Sequence, residues 1–245
     1  MIEIDRILDA QRKWQAASIL GGAAARDTAI ESLVKCADAI AVLEDNLKEI
    51  GYGWTDVERI PSDVLERNVS TIEKTIGSPV PQILVMFWEK VGGVSLVDLE
   101  DYQHVDFWKE HKMIAPGHFC DGLHVDPCNH EWTSFLCSDF FDWKEYSAQD
   151  ESDRFLLELS PDGYHKDNIS GGAAYGVYAE ASWRPIWQNF VWTGAQTPVT
   201  ALASPPDFLA YLRTTILECA GFPAFMGSLG FDPIRERLLR GIPVF

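Results

Sequence analysis

The sequence predicts an α+β fold: a single domain with a mixed, largely antiparallel sheet packed by helices, plus an N-terminal helical extension. Three observations indicate this class. Amphipathic helical patterns come first, short apolar or aromatic runs separated by turn residues follow from Val94, and another helical pattern lies near the end. Helices, then a run of strands, then a closing helix is an order of elements typical of α+β domains.

Two helices are predicted within residues 1–50. Their apolar residues recur at spacings of three and four, which gives each helix one face to bury. Gly21-Gly22 separates the two helices, and Gly51 ends the second because glycine readily adopts the left-handed conformation that follows a helix. Left uncovered, these faces would form a large apolar patch, so we expect both helices to pack on the rest of the fold.

Two further helices precede the strands. The third begins at Ser62, a good N-cap residue, and ends at Gly77. The fourth follows Pro79, has Pro81 in its first turn, where proline is well suited, and ends at Gly92-Gly93. Both show the amphipathic spacing of helices that pack on a core.

Six strands are predicted from apolar and aromatic runs bounded by turn residues. They are residues 95–99, 105–108, 123–125, 155–159, 174–179 and 190–192. A helix then follows Pro205-Pro206-Asp207 and ends at Gly221. The predicted organisation is a helical extension over residues 1–52, an α+β domain over residues 53–226 and a tail with a short helix over residues 227–245.

The charge of the chain is strongly negative and unevenly placed. The formal net charge is −17, and residues 98–167 hold 17 Asp and Glu against 5 Lys and Arg, a net charge of −12. A polyanion such as nucleic acid, or an anionic membrane, would be repelled. The excess is either a solvated acidic face or a surface that meets a basic partner.

The cysteines and the N-terminus predict a cytoplasmic protein. Five cysteines, an odd number, are scattered without a Cys-x-x-Cys pair, as expected of free buried thiols: Cys36, Cys120, Cys128, Cys137 and Cys219. The first residues carry acids instead of a basic segment followed by an apolar one, so no signal peptide is predicted. No run approaches the ~20 apolar residues that span a bilayer.

A predicted helix begins near a proline, ends in Gly-Gly and leads into the first predicted strand, within the segment Gly77-Ser-Pro-Val-Pro-Gln-Ile-Leu-Val-Met-Phe-Trp-Glu-Lys-Val-Gly-Gly-Val-Ser-Leu96. This segment resembles the opening of domains of the SUKH superfamily, which includes the fungal cell-wall regulator Smi/Knr. Residues 159–177 resemble a turn-rich segment of bacterial members, and residues 208–213 with 221–223 resemble their closing helix. Ala220 and Ala224 depart from the expected Gly-Gly-Phe-Pro-Gly and alter the last turn.

The resemblance implies a single SUKH-like α+β domain without a cofactor or a catalytic set. It also implies protein binding, and for many bacterial members a role as immunity proteins that neutralise a cognate toxin, often a nuclease. The three segments cover roughly residues 60–226, and the first fifty residues lie outside them.

A polar cluster follows the predicted strand 155–159. It comprises His165, Lys166, Asp167, Asn168, Ser170, Gly171 and Gly172. If the cluster is catalytic, its side chains provide a general base, a cation and a hydroxyl group, and the backbone amides of its glycines can bind an anion. Asp, Asn, Ser and Gly are also turn formers, and a phosphate loop needs a strand and a helix that are missing here. The cluster is therefore interpreted as a structural turn.

A second set of residues has the side chains of zinc ligands: His118, Cys120, His124, Cys128 and His130. Structural zinc sites usually space paired cysteines by two to four residues. The spacing here is irregular, and glycine and proline interrupt it. We therefore predict no metal at these residues.

Charge and resemblance together predict a non-catalytic immunity or adaptor protein that neutralises a cognate toxin. The toxin is expected to be a basic protein that binds to the acidic surface of this chain. The residues expected to bind the partner lie in an acidic segment rich in aromatic residues: Asp139, Asp142, Trp143, Glu145, Asp150, Glu151 and Asp153. The other interpretation of this segment is a solvated loop whose aromatic residues fill the core. The alternative function is a small hydrolase or metal-dependent enzyme centred on residues 118–130 and 165–172.

Overall fold

The fold is of the α+β class, as predicted, and the described strands form two small sheets instead of the one mixed sheet expected. The computed structural model describes residues 4–20, 22–98, 101, 103–113, 122–146, 155–158, 175–178, 190–192, 208–222, 225 and 230–245. Every strand pair formed by these residues is antiparallel. The division of the chain at residues 52 and 226 stays a prediction.

The elements follow one another in an order that interleaves the helices with the strands. In chain order they are α1 (Ile4–Leu20), α2 (Gly22–Glu49), β1 (Asp56–Glu58), α3 (Ser62–Ile76), α4 (Gln82–Lys90), β2 (Gly93–Ser95), α5 (Gln103–Glu110), β3 (His124–Val125), α6 (His130–Tyr146), β4 (Leu156–Glu158), β5 (Tyr175–Tyr178), β6 (Phe190–Trp192), α7 (Phe208–Arg213) and α8 (Phe231–Leu238). Helix α7 continues as a π-helical turn over Thr214–Glu218. One sheet has the order β1-β2-β3 and the other β4-β5-β6.

The first two helices are packed on the rest of the molecule. Their apolar residues, including Ile7, Trp14 and Leu33, belong to the main hydrophobic core. Helix α2 packs on α4 and α8, and the Asn46 amide donates to the carbonyl oxygens of Leu238 and Arg240 at 2.8 and 2.9 Å. Both ends of the described chain therefore contribute to one core.

A buried arginine joins α7 to these helices. Arg213 is 1% exposed, and its guanidinium donates to the main-chain oxygen of Phe245, to Gln11 Oε1 in α1 and to Ser32 Oγ in α2. The guanidinium carbon also lies 5.9 Å from the centre of the Phe245 ring. A buried cation is tolerated only when its donors are satisfied in this way.

The predicted strand over residues 105–108 is wrong, because these residues lie in α5. His104, Val105 and Trp108 are the buried residues of this helix, at the three-to-four spacing of one helical face. The run Val-Asp-Phe-Trp has high intrinsic strand propensity, but burial of one helical face outweighs it.

Helix α3 begins at Ser62, as predicted, but its N-cap is Pro61 and not Ser62. The Pro61 carbonyl oxygen accepts the first helical hydrogen bonds, from the N–H groups of Val64 and Leu65.

A second difference concerns α6, which the strand pattern does not anticipate. Trp132, Leu136 and Phe140 are buried at spacings of four, and Trp143 packs against the core three residues later. This is the spacing of a helix that buries one face. Helix α6 packs on α3, where Cys137 Sγ lies 3.5 Å from Thr75 Oγ1.

The π-helical turn contains a buried carboxyl group with an abnormal pKa. Glu218 is 4% exposed, and within the described part of the chain its Oε1 has no hydrogen-bond partner. Burial raises the pKa of Glu218 from 4.5 to about 7, although the nearby charge of Arg235 acts in the opposite direction. The folded state therefore favours protonated Glu218.

Glu218 should make the protein less stable as the pH rises. Its folded pKa lies above its unfolded value, so its contribution is fully present below pH 4.5 and is lost as the pH rises through about 7. We expect Glu218→Gln to be near neutral at pH 5 and to raise the free energy of unfolding by about 1–3 kcal/mol at pH 8. Urea unfolding of both proteins at the two pH values tests this. An equal difference between them at both pH values would contradict it.

Candidate functional site: an acidic groove beside helix α6

A groove lies between the outer face of the β1-β2-β3 sheet and the start of α6. Its volume is about 540 Å³. Four carboxylate residues line it, namely Asp56, Glu58, Asp126 and Glu131, and Pro127, Trp132 and Phe135 provide an apolar wall. A concave surface with an apolar wall and a few polar groups is typical of a binding site.

The register of the sheet explains which side chains face the groove. Asp56, Ser95 and His124 are paired across the three strands, and all three line the groove. The next row is Val57, Val94 and Val125, of which Val94 and Val125 are buried. Because side chains alternate between faces along a strand, Glu58 shares the outer face with Asp56.

Gly93 allows the segment after β3 to cross the sheet closely. A Cβ atom at Gly93 would lie 2.5 Å from Pro127 Cβ and 2.6 Å from Pro127 N. At Gly92, which has a φ of +102°, a Cβ would overlap the carbonyl oxygen of Glu58. The Gly-Gly pair thus ends α4 and also permits two close approaches that shape the groove.

The segment that carries Asp126 is fixed from the core side. Trp88 Nε1 donates to the Asp126 carbonyl oxygen at 2.9 Å, and Asn68 Nδ2 donates to the Cys128 carbonyl oxygen at 2.8 Å. The rings of Trp88 and Trp132 meet edge to face, 5.2 Å apart. These contacts hold the groove wall in a defined position.

Asn129 orients one of the groove carboxylates. Its Oδ1 accepts the Trp132 backbone N–H at 2.9 Å, which caps α6, and its Nδ2 lies 3.3 and 3.4 Å from the two oxygens of Glu58. The amide is neutral, so it positions the Glu58 carboxylate without cancelling its charge.

His124 links a serine to a second groove carboxylate. The ring is 3% exposed; Nδ1 lies 3.1 Å from Ser95 Oγ and Nε2 lies 3.0 Å from Asp126 Oδ1. The Ser95 hydroxyl also lies 3.1 Å from the Val97 carbonyl oxygen and accepts the Val97 N–H at 3.4 Å. Ser95 therefore takes part both in the contacts that run through His124 to Asp126 and in a local turn.

Three of the groove carboxylates lack a cationic partner within the described residues. Asp56, Glu58 and Glu131 form no ion pair there, and none of the described Lys or Arg residues lines the groove. Glu31 in α2 provides a contrast, because hydrogen bonds from Lys35 and Lys13 lower its pKa to about 2. Within the described part of the chain, the groove therefore concentrates negative charge in a concave surface without a cation that compensates it.

The exposed face of α6 extends this acidic surface. Glu131, Phe135, Ser138, Asp142 and Glu145 follow one another at spacings of four, three, four and three, which places them on one side of the helix. All five are exposed, Phe135 by 51%, and the neighbouring Phe141 is exposed by 59%. At 1.5 Å per residue this face is roughly 20 Å long. Acidic and aromatic residues thus continue from the groove along the helix.

The structure distributes the predicted partner-binding residues between surface and core. Asp142 and Glu145 are exposed, and Asp139 is half-buried. Trp143 is half-buried and packs on Phe140 and Phe155, with ring centres 5.7 and 5.6 Å away, so it supports the core. Asp150, Glu151 and Asp153 lie outside the described residues.

The residues with zinc-ligand side chains do not form a cluster where the structure describes them. His124 is buried against Asp126, His130 is exposed at the start of α6, and Cys128 is buried, which raises its thiol pKa to about 12. No three His, Cys, Asp or Glu side chains among the described residues are grouped to hold a metal ion. His118, Cys120 and the whole cluster of residues 165–172 lie outside the described residues.

Comparison with protein-family models, with curated proteins and with solved structures gave no match. The resemblance to SUKH domains therefore stays a prediction. Among the described helices, each is too short or too polar to cross a membrane.

Several groove residues are missing from the sequence-based site: Asp56, Glu58, Ser95, Asp126, Glu131 and Phe135. The alternation Asp56-Val57-Glu58 was the available signal, since it places two carboxylates on one face of a strand. Three residues are too few to distinguish a strand from a loop by pattern alone.

Proposed function

We propose that this chain is a non-catalytic protein-binding module, an immunity or adaptor protein that neutralises a basic partner through its acidic surface. The supporting observation is the groove, whose carboxylates are not paired with cations among the described residues and which continues onto the exposed acids of α6. The partner proposed is a toxin or effector domain, for which a nuclease is a natural candidate because nucleases carry basic surfaces for their own substrates.

Two physical features favour protein over small-molecule binding. Phe135 and Phe141 are large apolar side chains left exposed on an otherwise polar helix face. Aromatic residues are enriched in protein interfaces, where they contribute much of the binding energy. The carboxylates around them would accelerate encounter with a basic partner, because opposite fields steer association.

Charge reversal on α6 tests this proposal. The variant Asp142→Lys/Glu145→Lys should no longer capture from a cell extract the proteins that the unmodified chain binds. With one such partner purified, its association rate should be lower by about tenfold or more. The rate for the unmodified protein should also fall steeply between low salt and about 0.15 M salt, where the screening length is about 8 Å.

The matched control is Asp38→Lys/Glu49→Lys, which changes the charge equally at two exposed positions of α2. We expect this control to retain most of the association rate, and both variants to keep the melting temperature within about 3 °C. Equal association rates for the two variants would show that the α6 face is only a solvated surface.

A second candidate, hydrolysis, has one observation in its favour: the chain of contacts from Ser95 through His124 to Asp126, all of which line the groove. A histidine between a hydroxyl and a carboxylate is the arrangement that activates a serine nucleophile. The bonds of Ser95 to the Val97 backbone equally explain the serine as part of a turn. Ester hydrolysis that disappears in Ser95→Ala would favour the enzyme.

A further inference from the structure

The groove carboxylates are spread out instead of converging on one point. No three acidic, histidine or cysteine side chains among the described residues are close enough to hold a metal ion. Asp56 and Glu58 lie on β1, Asp126 follows β3, and Glu131 lies in the first turn of α6. A ligand that pairs with several of these carboxylates must therefore be a cation larger than a metal ion, or a chain that carries several positive charges.

The carboxylates are positioned for hydrogen-bonded recognition. Both oxygens of Glu58 face the same Asn129 amide nitrogen at 3.3 and 3.4 Å, and Asp126 Oδ1 is held by His124. A carboxylate has about four lone-pair directions, so each keeps acceptor capacity for a ligand. A planar guanidinium can use that capacity with two parallel N–H donors, whereas an ammonium interacts as a point charge.

The apolar wall supplies the second requirement of guanidinium binding. Phe135 is half-exposed at the groove, and Trp132 is largely buried beside it. Guanidinium groups stack on aromatic rings and are less strongly hydrated than ammonium groups, so an aromatic wall beside carboxylates favours arginine over lysine.

Strand β1 also suits an extended ligand. Among the described residues it pairs only with β2, so it is an edge strand of its sheet. Asp56 and Glu58 are both exposed and stand two residues apart, about 7 Å along the strand. An extended peptide lying along β1 presents every second side chain at the same interval.

We propose that the groove binds an extended, arginine-bearing segment of the protein partner, with arginines at alternate positions facing Asp56 and Glu58 and with a clear preference for arginine over lysine. This inference rests on the proposed function and names the chemistry that the groove recognises. Among the described residues no cation pairs with Asp56 or Glu58, so a bound guanidinium would supply the missing opposite charge.

The test uses two capped peptides on the full chain, one with three arginines alternating with serines and one with three lysines at the same positions. At low salt, the arginine peptide should bind about fivefold or more tightly than the lysine peptide in calorimetry. The variant Glu58→Gln/Glu131→Gln should weaken the arginine peptide by about tenfold or more.

The control Asp38→Asn/Glu49→Gln removes the same charge from exposed positions of α2 and should change the affinity less than about twofold. Phe135→Ala, at a half-exposed position, provides a second groove variant that should fold normally and weaken the arginine peptide selectively. Equal affinity for both peptides, or equal losses in the groove and control variants, would overturn the inference.

The outcomes also separate this inference from the proposed function. If a partner is lost on charge reversal of Asp142 and Glu145 while the groove variants leave its binding unchanged, the arginine site is refuted and the acidic α6 interface stands. If arginine binds selectively in the groove but no protein depends on α6, the ligand chemistry stands and the proposed function fails.

Discussion

Replacing Arg213 with methionine is expected to lower the free energy of unfolding by roughly 3–5 kcal/mol. The guanidinium donates hydrogen bonds to the Phe245 oxygen, Gln11 Oε1 and Ser32 Oγ, so the substitution removes a hydrogen-bond donor from each of these buried acceptors. Each buried acceptor left unpaired costs about 1–3 kcal/mol. Urea unfolding at neutral pH measures the loss.

The control for this experiment is an arginine in contact with solvent. Arg67 in α3 is 72% exposed and pairs with Asp63 one helical turn away. Arg67→Met should change the stability by less than about 1 kcal/mol, because exposed pairs contribute little. If Arg213→Met proved as mild as Arg67→Met, the buried hydrogen bonds would not link α7 to the first two helices as described.

The second large effect is expected from a single methyl group in the groove wall. Gly93→Ala places a Cβ 2.6 Å from Pro127 N, and neither backbone can yield easily. We expect a loss of about 2–3 kcal/mol in the free energy of unfolding. Binding at the groove should weaken as well, because Pro127 forms part of its wall.

Gly53→Ala is the matched control, since a Cβ at Gly53 meets no atom within 4 Å. That variant should be neutral or slightly stabilising, because alanine restricts the unfolded chain more than glycine does. Chemical unfolding of the two variants side by side gives the comparison. Equal stabilities would mean that the close approach of Pro127 to β2 does not exist in solution.

Elements with a local signal were predictable from the sequence. The glycines at positions 51 and 77 have positive φ where the second and third helices end, and β6 coincides with the predicted strand over residues 190–192. In these cases the apolar spacing and the stop residues lie within one short segment. Local chemistry alone then decides the structure.

The α5 and α6 regions show why other elements were missed. Aromatic residues favour strands in isolation, so the pattern of Val105 to Trp108 predicts a strand although these residues form a helix. In α6, the exposed Phe135 and Phe141 partly hide the helical spacing of the buried residues. What decides both cases is burial against distant elements, such as the packing of α6 on α3. A single sequence does not contain that information directly.

The acidic surface was predicted in part. The exposed residues Asp142 and Glu145 follow from the local charge pattern. The groove does not follow from any local pattern, because the strand register that aligns Asp56 with Ser95 and His124 joins residues far apart in the chain. Strand pairing at such separation depends on the tertiary fold, which is why these acids appear unremarkable in sequence.

The bonds between the first and last helices also affect how the protein folds during synthesis. Gln11 meets Arg213 across 202 residues, and Asn46 meets Leu238 across 192. Helices α1 and α2 therefore leave the ribosome long before the segments that cover them, and contacts of such long range form slowly. During that interval their apolar faces are available to chaperones or to other nascent chains. The yield of folded protein should then depend on how quickly residues 208–245 are delivered, even when the stability of the finished fold is unchanged.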